Sequence, residues 1–507
     1  MMDPVKLLQL PEPMLSFGYQ QQMEHPKDGL FLFGPLADGA HPAEMRIGVI
    51  GTEDGIASFR TWSKRIRGYL PSANSDAAHH ASWPGFEAVF NTKWPETPIT
   101  EIEVDAAALS AAIRIENRHE AISKAVNHFD GPIRRYLRQQ EAPPTMWFVV
   151  IPEEVHRFGR PKSSVPQAER TKGDAYLTRK SGKKVLEMGS LFPEDREAAE
   201  IYRYELNFHH QLKAKLLDQK AVIQIVRDTT LTPDKFVDDK GHPIRATQDQ
   251  ATIAWNLCTT AFFKSSGKPW RLADIRPGVC YVGLVFKKDD TALGGANACC
   301  GAQMFLDSGD GVVFRGAVGP WYSEADRSFH LTREKATELM ALVVEAYSEL
   351  HGAPPVELFI HGKARFSDDE WAGFSSAVPE ETQLVGVRIR PTTELKLYRL
   401  GKKPVQRGTA YLVGDRLGYL WTKGFIPRLA TYPGWEVPNP LLVEIHRGEA
   451  DLARVMIDVL GLTKINFNAC VFADGLPVTL KFADAVGDIL TAAPVGDLPP
   501  LPFRHYI

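Results

Sequence analysis

Apolar residues recur along this chain in two rhythms, short unbroken runs and helical stripes, and the two alternate through the first half. MRIGVI (45–50) reads as a strand ending at Gly51, and apolar residues at helical spacing follow over Glu53–Leu70. Residues 71–95, including WPGFEAVF, read as loop. Helical periodicity returns over Ala106–Leu137, and MWFVVI (146–151) is a strand closed by Pro152. Residues 159–192 are polar, rich in Lys, Arg, Ser and Gly, and predict a long surface excursion, either a hairpin or a mobile loop. A long helix is predicted over 194–217, then strand AVIQIV (221–226), then a helix over 249–263 that ends in the polar turn KSSGKPW. Strand–helix alternation of this kind predicts a Rossmann-like α/β layer structure.

Past Ile275–Pro277 the pattern changes. GVCYVGLVF (278–286), CCGAQMFL (299–306) and GVVFRGAV (311–318) are three successive strand candidates separated by turn residues. A helical stripe over 332–352, strand VELFIH (356–361), a short helix near Asp368–Ser375 and strand TQLVGVRI (382–389) follow. Three meandering strands, helix, strand, helix, strand is the element order of an RNase H-like layer. Residues 1–40, broken by Pro11, Pro13, Pro26 and Pro35, read as an extended arm packing on that second unit. The expected division is therefore 1–40 arm, 41–273 first α/β domain and 274–507 second α/β domain.

Composition narrows the picture. The 507 residues suffice for two or three domains, and 44% hydrophobic with 24% charged residues is ordinary for a globular protein. A formal charge of −3 excludes a globally basic nucleic-acid binder but allows a local basic channel. Five cysteines without a CxxC pair or metal-ligand spacing suit a reducing compartment. Neither a basic-then-apolar leader nor a run of about eighteen apolar residues occurs, so a cytoplasmic protein without a membrane span is expected.

Candidate chemistry concentrates in FHHQLKAKLLDQKAVIQIVRDTTL (208–231). His209 and Lys213 are four apart and share a helix face, with Lys215 and Lys220 adding charge nearby. Gln224 lies inside an apolar run, where its amide needs a partner. A cationic helix face beside a buried amide suits an anchored phosphate, although spacing alone fits a solvated basic helix more readily.

The second half carries more specific wording. NPLLVEIHRGEADLARVMIDVLGLTKINFNACVFADGLPVTLKFADAVGDIL (439–490) resembles the end of the PIWI domain of Argonaute proteins, through Leu462, Thr463, Lys464, Asn466, Asn468 and the following PVTLKFAD. RPGVCYVGLVF resembles the first PIWI strand. His209, Lys213, Gln224 and Lys264 match, in order, the set that Argonaute MID domains use around a guide 5′ phosphate. The resemblance implies a Rossmann-like MID domain followed by an RNase H-like PIWI domain. With no room for N and PAZ domains, it implies the short prokaryotic branch. It further implies a short 5′-phosphorylated guide RNA, a complementary single-stranded DNA target, and a heterodimeric partner carrying an APAZ region. That partner would bring a TIR or sirtuin-like NAD-consuming effector, or a nuclease, in defence against plasmids or phage. A Mg2+ ion would bridge guide phosphates to the carboxylate of Ile507, Thr229 and Thr230 would lie near the first nucleotide, and Lys464, Arg447 and Asn466 would contact guide or target backbone.

Cleaving Argonautes hold two metal ions with an Asp–Glu–Asp–Asp/His set. By the resemblance, the first aspartate falls at or beside Val285 and the second at Lys363, where a cation stands instead. Asp484 matches the last position, and one carboxylate does not hold two magnesium ions. Asp289, Asp290, Asp307 and Asp310 read as solvated turn residues. No catalytic residue is assigned, and a chain that binds without cutting is expected. The rival readings are an RNase H-like guided nuclease with an atypical carboxylate set, and a Rossmann-type small-molecule enzyme. The last lacks a GxGxxG after a strand.

Overall fold

The computed structural model describes residues 6–37, 42–73, 80–289, 297–305, 311–319, 322–323, 328–432, 434, 436–494 and 500–507. In the first half, β1 (Ile47–Gly51), β2 (Thr100–Glu103), β3 (Met146–Ile151) and β4 (Ile223–Arg227) form a parallel sheet in the order β2-β1-β3-β4. Strands β1 and β3 are buried at every position, because helices cover both faces of a parallel sheet. Those helices begin with α1 (Glu53–Ile66), α2 (Ala106–Ile113), α3 (Arg118–Gln139) and α4 (Glu153–Phe158). Helix α1 starts where the Thr52 hydroxyl accepts the Gly55 N–H at 3.2 Å, with Glu53 and Asp54 in its first turn and Lys64 and Arg65 in its last.

Three local expectations change. WPGFEAVF contains a one-turn helix, Phe86–Phe90. The excursion at 159–192 contains helix α5 (Arg179–Met188), started by a reciprocal Thr178–Ser181 capping box, with α6 (Pro193–Ala199) following. The single long helix expected over 194–217 is broken. Tyr204 is extended, and α7 (Phe208–Leu216) starts afresh on Asn207, whose Oδ1 accepts the His209 and His210 N–H groups. An asparagine that bonds its own backbone competes with helix continuation. The short helix α8 (Asp228–Leu231) follows β4, and α9 (Gln250–Lys264) completes this half.

The second half is built on a ten-stranded sheet. Its centre is β5 (Val279–Asp289), β6 (Asn297–Phe305), β7 (Gly311–Gly319), β8 (Glu357–Gly362) and β9 (Gln383–Pro391). Strands β5, β6 and β7 are antiparallel to one another, whereas β5, β8 and β9 run parallel, in the order β7-β6-β5-β8-β9. This is the RNase H-like order, with helices α10 (Arg333–His351) and α11 (Asp368–Ala377) supplying the crossovers. Strands β10 (Thr409–Leu412), β11 (Leu417–Leu420) and β12 (Leu441–Arg447) extend one side. Lys6–Gln9 of the arm pairs with β10 at that edge, and β13 (Leu501–Pro502) pairs with β7 at the other.

Helices α12 (Leu452–Leu462), α13 (Val478–Lys481) and α14 (Ala483–Leu490) close the chain over the sheet. Gly283 of β5 lets α13 approach, since a Cβ there would stand 1.9 Å from the Thr479 carbonyl oxygen. One hydrophobic cluster joins both halves, from Phe148 and Trp255 through Phe263, Trp270 and Phe467 to Val443 and Ile507. Phe263 and Phe467 stand 4.6 Å apart between ring centres. Each such side chain contributes about 1.5–3 kcal/mol on full burial. That shared core carries the end of α9 to the last residues of the sequence. Among the described residues no helix is long and apolar enough to cross a membrane.

Candidate nucleic-acid interface

Helix α7 sets His209 and Lys213 one turn apart, and β4 delivers Gln224 beside them. The Lys213 ammonium, 5% exposed, donates to the Tyr506 carbonyl at 3.3 Å. Lys264, 1% exposed at the end of α9, donates to the Ile223 carbonyl and Gln224 Oε1, both at 2.8 Å, and to the main-chain oxygen of Ile507. The structure thus brings His209, Lys213, Gln224, Lys264 and Ile507 together from four separate segments. No side-chain carboxylate bonds either ammonium among the described residues.

Burial without a side-chain carboxylate partner lowers the basicity of these groups. Burial pushes Lys213 down to about 7. Burial, then the neighbouring Lys213, holds Lys264 well below the usual lysine range. His209 is exposed toward a cavity, and the surrounding protein, followed by Lys213, His210, Lys264 and His156, lowers its imidazole below the usual histidine range. An arriving anion would reverse these penalties, because an opposite charge favours the protonated form.

The cavity beside His209 measures about 470 Å³ and opens past the carboxyl ends of β3 and β4, where open parallel sheets form ligand crevices. Its lining adds His156, Arg160 and Arg227, which the sequence reading missed. Arg160 bonds the His156 ring, and Arg227 donates to Glu153 at 3.1 Å. Arg245 donates to the Thr229 hydroxyl at 2.9 Å and to that of Thr230, while Thr229 donates to Glu153 at 2.8 Å. Thr229 is buried in this network, and Thr230 lines the cavity. The available signal was position: Arg227 ends a strand, and His156 and Arg160 follow one. Lys215 faces elsewhere, donating to Asn127 at 2.9 Å and lying over Tyr204, and Lys220 is exposed in a turn.

The residues expected to contact guide or target backbone are engaged within the chain in this structure. Lys464 is 1% exposed and donates to Glu12 at 3.0 Å and the Pro13 carbonyl at 2.8 Å, so it clamps the arm and presents no donor to solvent. Asn466 is buried, donating to Asp474 at 2.7 Å and accepting the Asn468 N–H at 2.8 Å. Arg447 donates to the Phe366 carbonyl at 3.2 Å and to Asp368. All three are held by the chain itself.

At the positions expected from the sequence to correspond to a cleavage centre, β8 pairs His361 with Gly283, and this register carries Lys363 and Val285 to the same end of the sheet. The Lys363 ammonium lies 2.8 and 2.9 Å from the two Asp484 oxygens. A cation therefore occupies the side of Asp484 that faces β8. Asp289 ends β5, and Asp290, Asp307 and Asp310 lie outside the described residues. Among the described residues no group of three His, Cys, Asp or Glu side chains is arranged to hold a metal ion.

By sequence, neither a family model nor a curated protein matches this chain. By structure, it is similar to Clostridium butyricum Argonaute bound to a guide DNA and a 19-mer target DNA, with a TM-score of 0.60 at 13% identity, covering 97% of this chain and 54% of that one. It is similar also to Aa-Ago with externally bound siRNA (TM-score 0.55, 12% identity, 98% and 56% covered) and to A. aeolicus Argonaute (TM-score 0.54, 12% identity, 97% and 53% covered). The chain spans about half the length of these proteins and has their MID–PIWI fold.

Proposed function

We propose that this chain holds the 5′-phosphorylated end of a short guide RNA, presents it to complementary single-stranded DNA, and cuts neither strand. The observation that carries the reading is the meeting of Lys213, Lys264, Gln224 and His209 without a side-chain carboxylate to balance them. A terminal phosphate brings up to two negative charges and three acceptors, which match two ammonium groups, an amide and an imidazole. The fold shared with a guide- and target-bound Argonaute supports the same assignment.

Magnesium fits this proposal at one point. The Ile507 main-chain oxygen, which accepts from Lys264, would be the protein's ligand, with guide phosphates and water as the others, in keeping with the ion's preference for few protein ligands. There it would neutralise clustered phosphate charge. The Lys363–Asp484 pair supports the absence of cutting, since two-metal cleavage needs several converging carboxylates. In this reading sequence specificity lies in base pairing, and pairing shifts the protein toward a state that activates an associated APAZ-bearing effector in defence.

Binding of 5′-phosphorylated and 5′-hydroxyl guides to the full chain tests the assignment, with Lys213→Ala/Lys264→Ala as the variant and a melting curve as the fold control. A folded double variant that still prefers the phosphorylated guide removes it. Magnesium-dependent target cleavage abolished by Asp484→Ala would restore the nuclease reading.

A further inference from the structure

The hairpin of α5 and α6 lies outside the guide site. It displays three large apolar side chains within five residues: Met188, Leu191 and Phe192 are 76%, 95% and 64% exposed. Single exposed apolar residues are ordinary, whereas a contiguous group marks an interaction surface. The turn that carries them is well held. Gly189 adopts φ +78°, Ser190 Oγ donates to Asp195 at 2.9 Å, and Arg196 Nε donates to the Ser190 carbonyl at 2.9 Å. The Tyr176 hydroxyl donates to the other Asp195 oxygen at 2.9 Å. A turn fixed in this way loses little further freedom on binding.

Charge on this surface is unevenly divided, with a net basic helix and a net acidic one. Helix α5 carries Arg179, Lys180, Lys183 and Lys184 against the single acid Glu187, whereas α6 carries Glu194, Asp195 and Glu197 against the single base Arg196, and Glu200 beyond it pairs with Arg203 at 3.2 Å. Between α3 and α6 runs a cavity of about 420 Å³ lined by Glu120, Asp174, Glu194 and Glu197. Lys124 is in the same lining, bound to Glu120 at 2.8 Å and Asp174 at 2.6 Å, which leaves an excess of carboxylates.

A basic half and an acidic half on either side of an apolar centre form a pattern that complements itself under a two-fold rotation. We infer that a second copy of this chain docks here, tip against tip, with the basic α5 of each copy facing the acidic groove of the other. A nucleic-acid strand would match α5 but meet repulsion at the groove. An unrelated protein has no reason to require both charge halves in this arrangement.

Sedimentation velocity of the full chain over about 1–100 µM, the range of weak protein interfaces, tests the inference. Concentration-dependent dimerisation is expected, and Leu191→Arg weakens it by about tenfold or more. Lys180→Glu/Lys184→Glu weakens it, as does Glu194→Lys/Glu197→Lys, and mixing these two charge-reversed proteins restores association as a heterodimer. All these changes lie on the surface, so melting temperatures should stay near that of the parent. A chain that remains monomeric throughout, or a mixture without restored association, overturns the inference. So does a Leu191→Arg protein that loses nucleic-acid or effector binding with its self-association intact. Guide affinity is read separately, so this proposal and the guide proposal fail independently.

Discussion

Lys264 and Lys464 are buried to the same degree, 1% exposed each, in opposite surroundings. Lys464 meets the Glu12 carboxylate at 3.0 Å and lies 4.3 Å over the Phe472 ring, with Arg407 bound to the same carboxylate at 3.0 Å. Burial still lowers Lys464 to about 8, although Glu12 opposes the shift. Lys264 has main-chain and amide oxygens around it, a second lysine beside it, and a pKa held well below the lysine range. Removing a cation from water costs several kcal/mol unless a counter-charge offsets it. In the arm region a side-chain carboxylate supplies that counter-charge; at the end of α9, among the described residues, Lys264 meets main-chain and amide oxygens and no side-chain carboxylate. The first arrangement ties the arm to the fold, and the second is where we propose that an anion from outside binds.

The strongest way to break this contrast is to remove the uncompensated pair. Lys213→Ala/Lys264→Ala should weaken binding of a 5′-phosphorylated guide by about 3–6 kcal/mol, from roughly 1.5–3 kcal/mol per charge-assisted bond. A 5′-hydroxyl guide should bind nearly as before; equal losses for both guides in a titration would dissolve the distinction between the two regions.

The compensated region should respond through stability. Glu12→Ala strands Arg407 and Lys464 as buried cations, at a cost of about 3–5 kcal/mol in denaturant unfolding. Guide affinity of the folded fraction should stay at the parent value. A loss below about 1 kcal/mol would show that the arm contact does not hold the fold.

Acidity separates the two roles further. Lys213 titrates near 7 in the empty protein and at the ordinary lysine value of 10.5 when unfolded. Between those values the unfolded chain holds more protons, so this group makes the empty protein more stable as pH rises. A bound phosphate favours the ammonium, so affinity for a phosphorylated guide should fall as pH rises above 7. It should fall again below about 6, where the phosphate takes up its own proton. Lys213→Met should flatten the alkaline limb of a binding-versus-pH curve; an unchanged limb assigns it to another group.

The smallest effect is expected at the Lys363–Asp484 pair, whose side chains are 46% and 64% exposed. Lys363→Ala should change stability by about 0–1 kcal/mol and lose even that difference at high salt. A larger, salt-resistant loss in thermal unfolding would give this pair a structural weight that its exposure does not support.

Most of the strands were legible because buried strands leave unbroken apolar runs. MWFVVI is β3 at the positions read, and the order of β5, β6, β7, β8 and β9 followed from period and turn residues. What misled was local: a polar stretch concealed α5, whose start rests on the Thr178–Ser181 exchange, and a good helical stripe concealed the break at Asn207. At the candidate site, His209, Lys213 and Gln224 were legible as types at a spacing, and Lys264 only through the family resemblance. His156, Arg160 and Arg227 were not, because each reads alone as an ordinary surface residue and becomes part of a cavity only when β3 and β4 align.

By itself the sequence determined the elements, since apolar period, caps and turn residues act over a few neighbouring positions. It determined also that a basic face and a buried amide lie close along the chain at 209–224. Only the tertiary structure decided what each lysine does. Lys264 and Lys464 are alike as residues in apolar surroundings; Glu12, 452 positions from Lys464, reaches one and not the other. Contacts at that separation depend on how the two sheets share one core, and no local pattern encodes them.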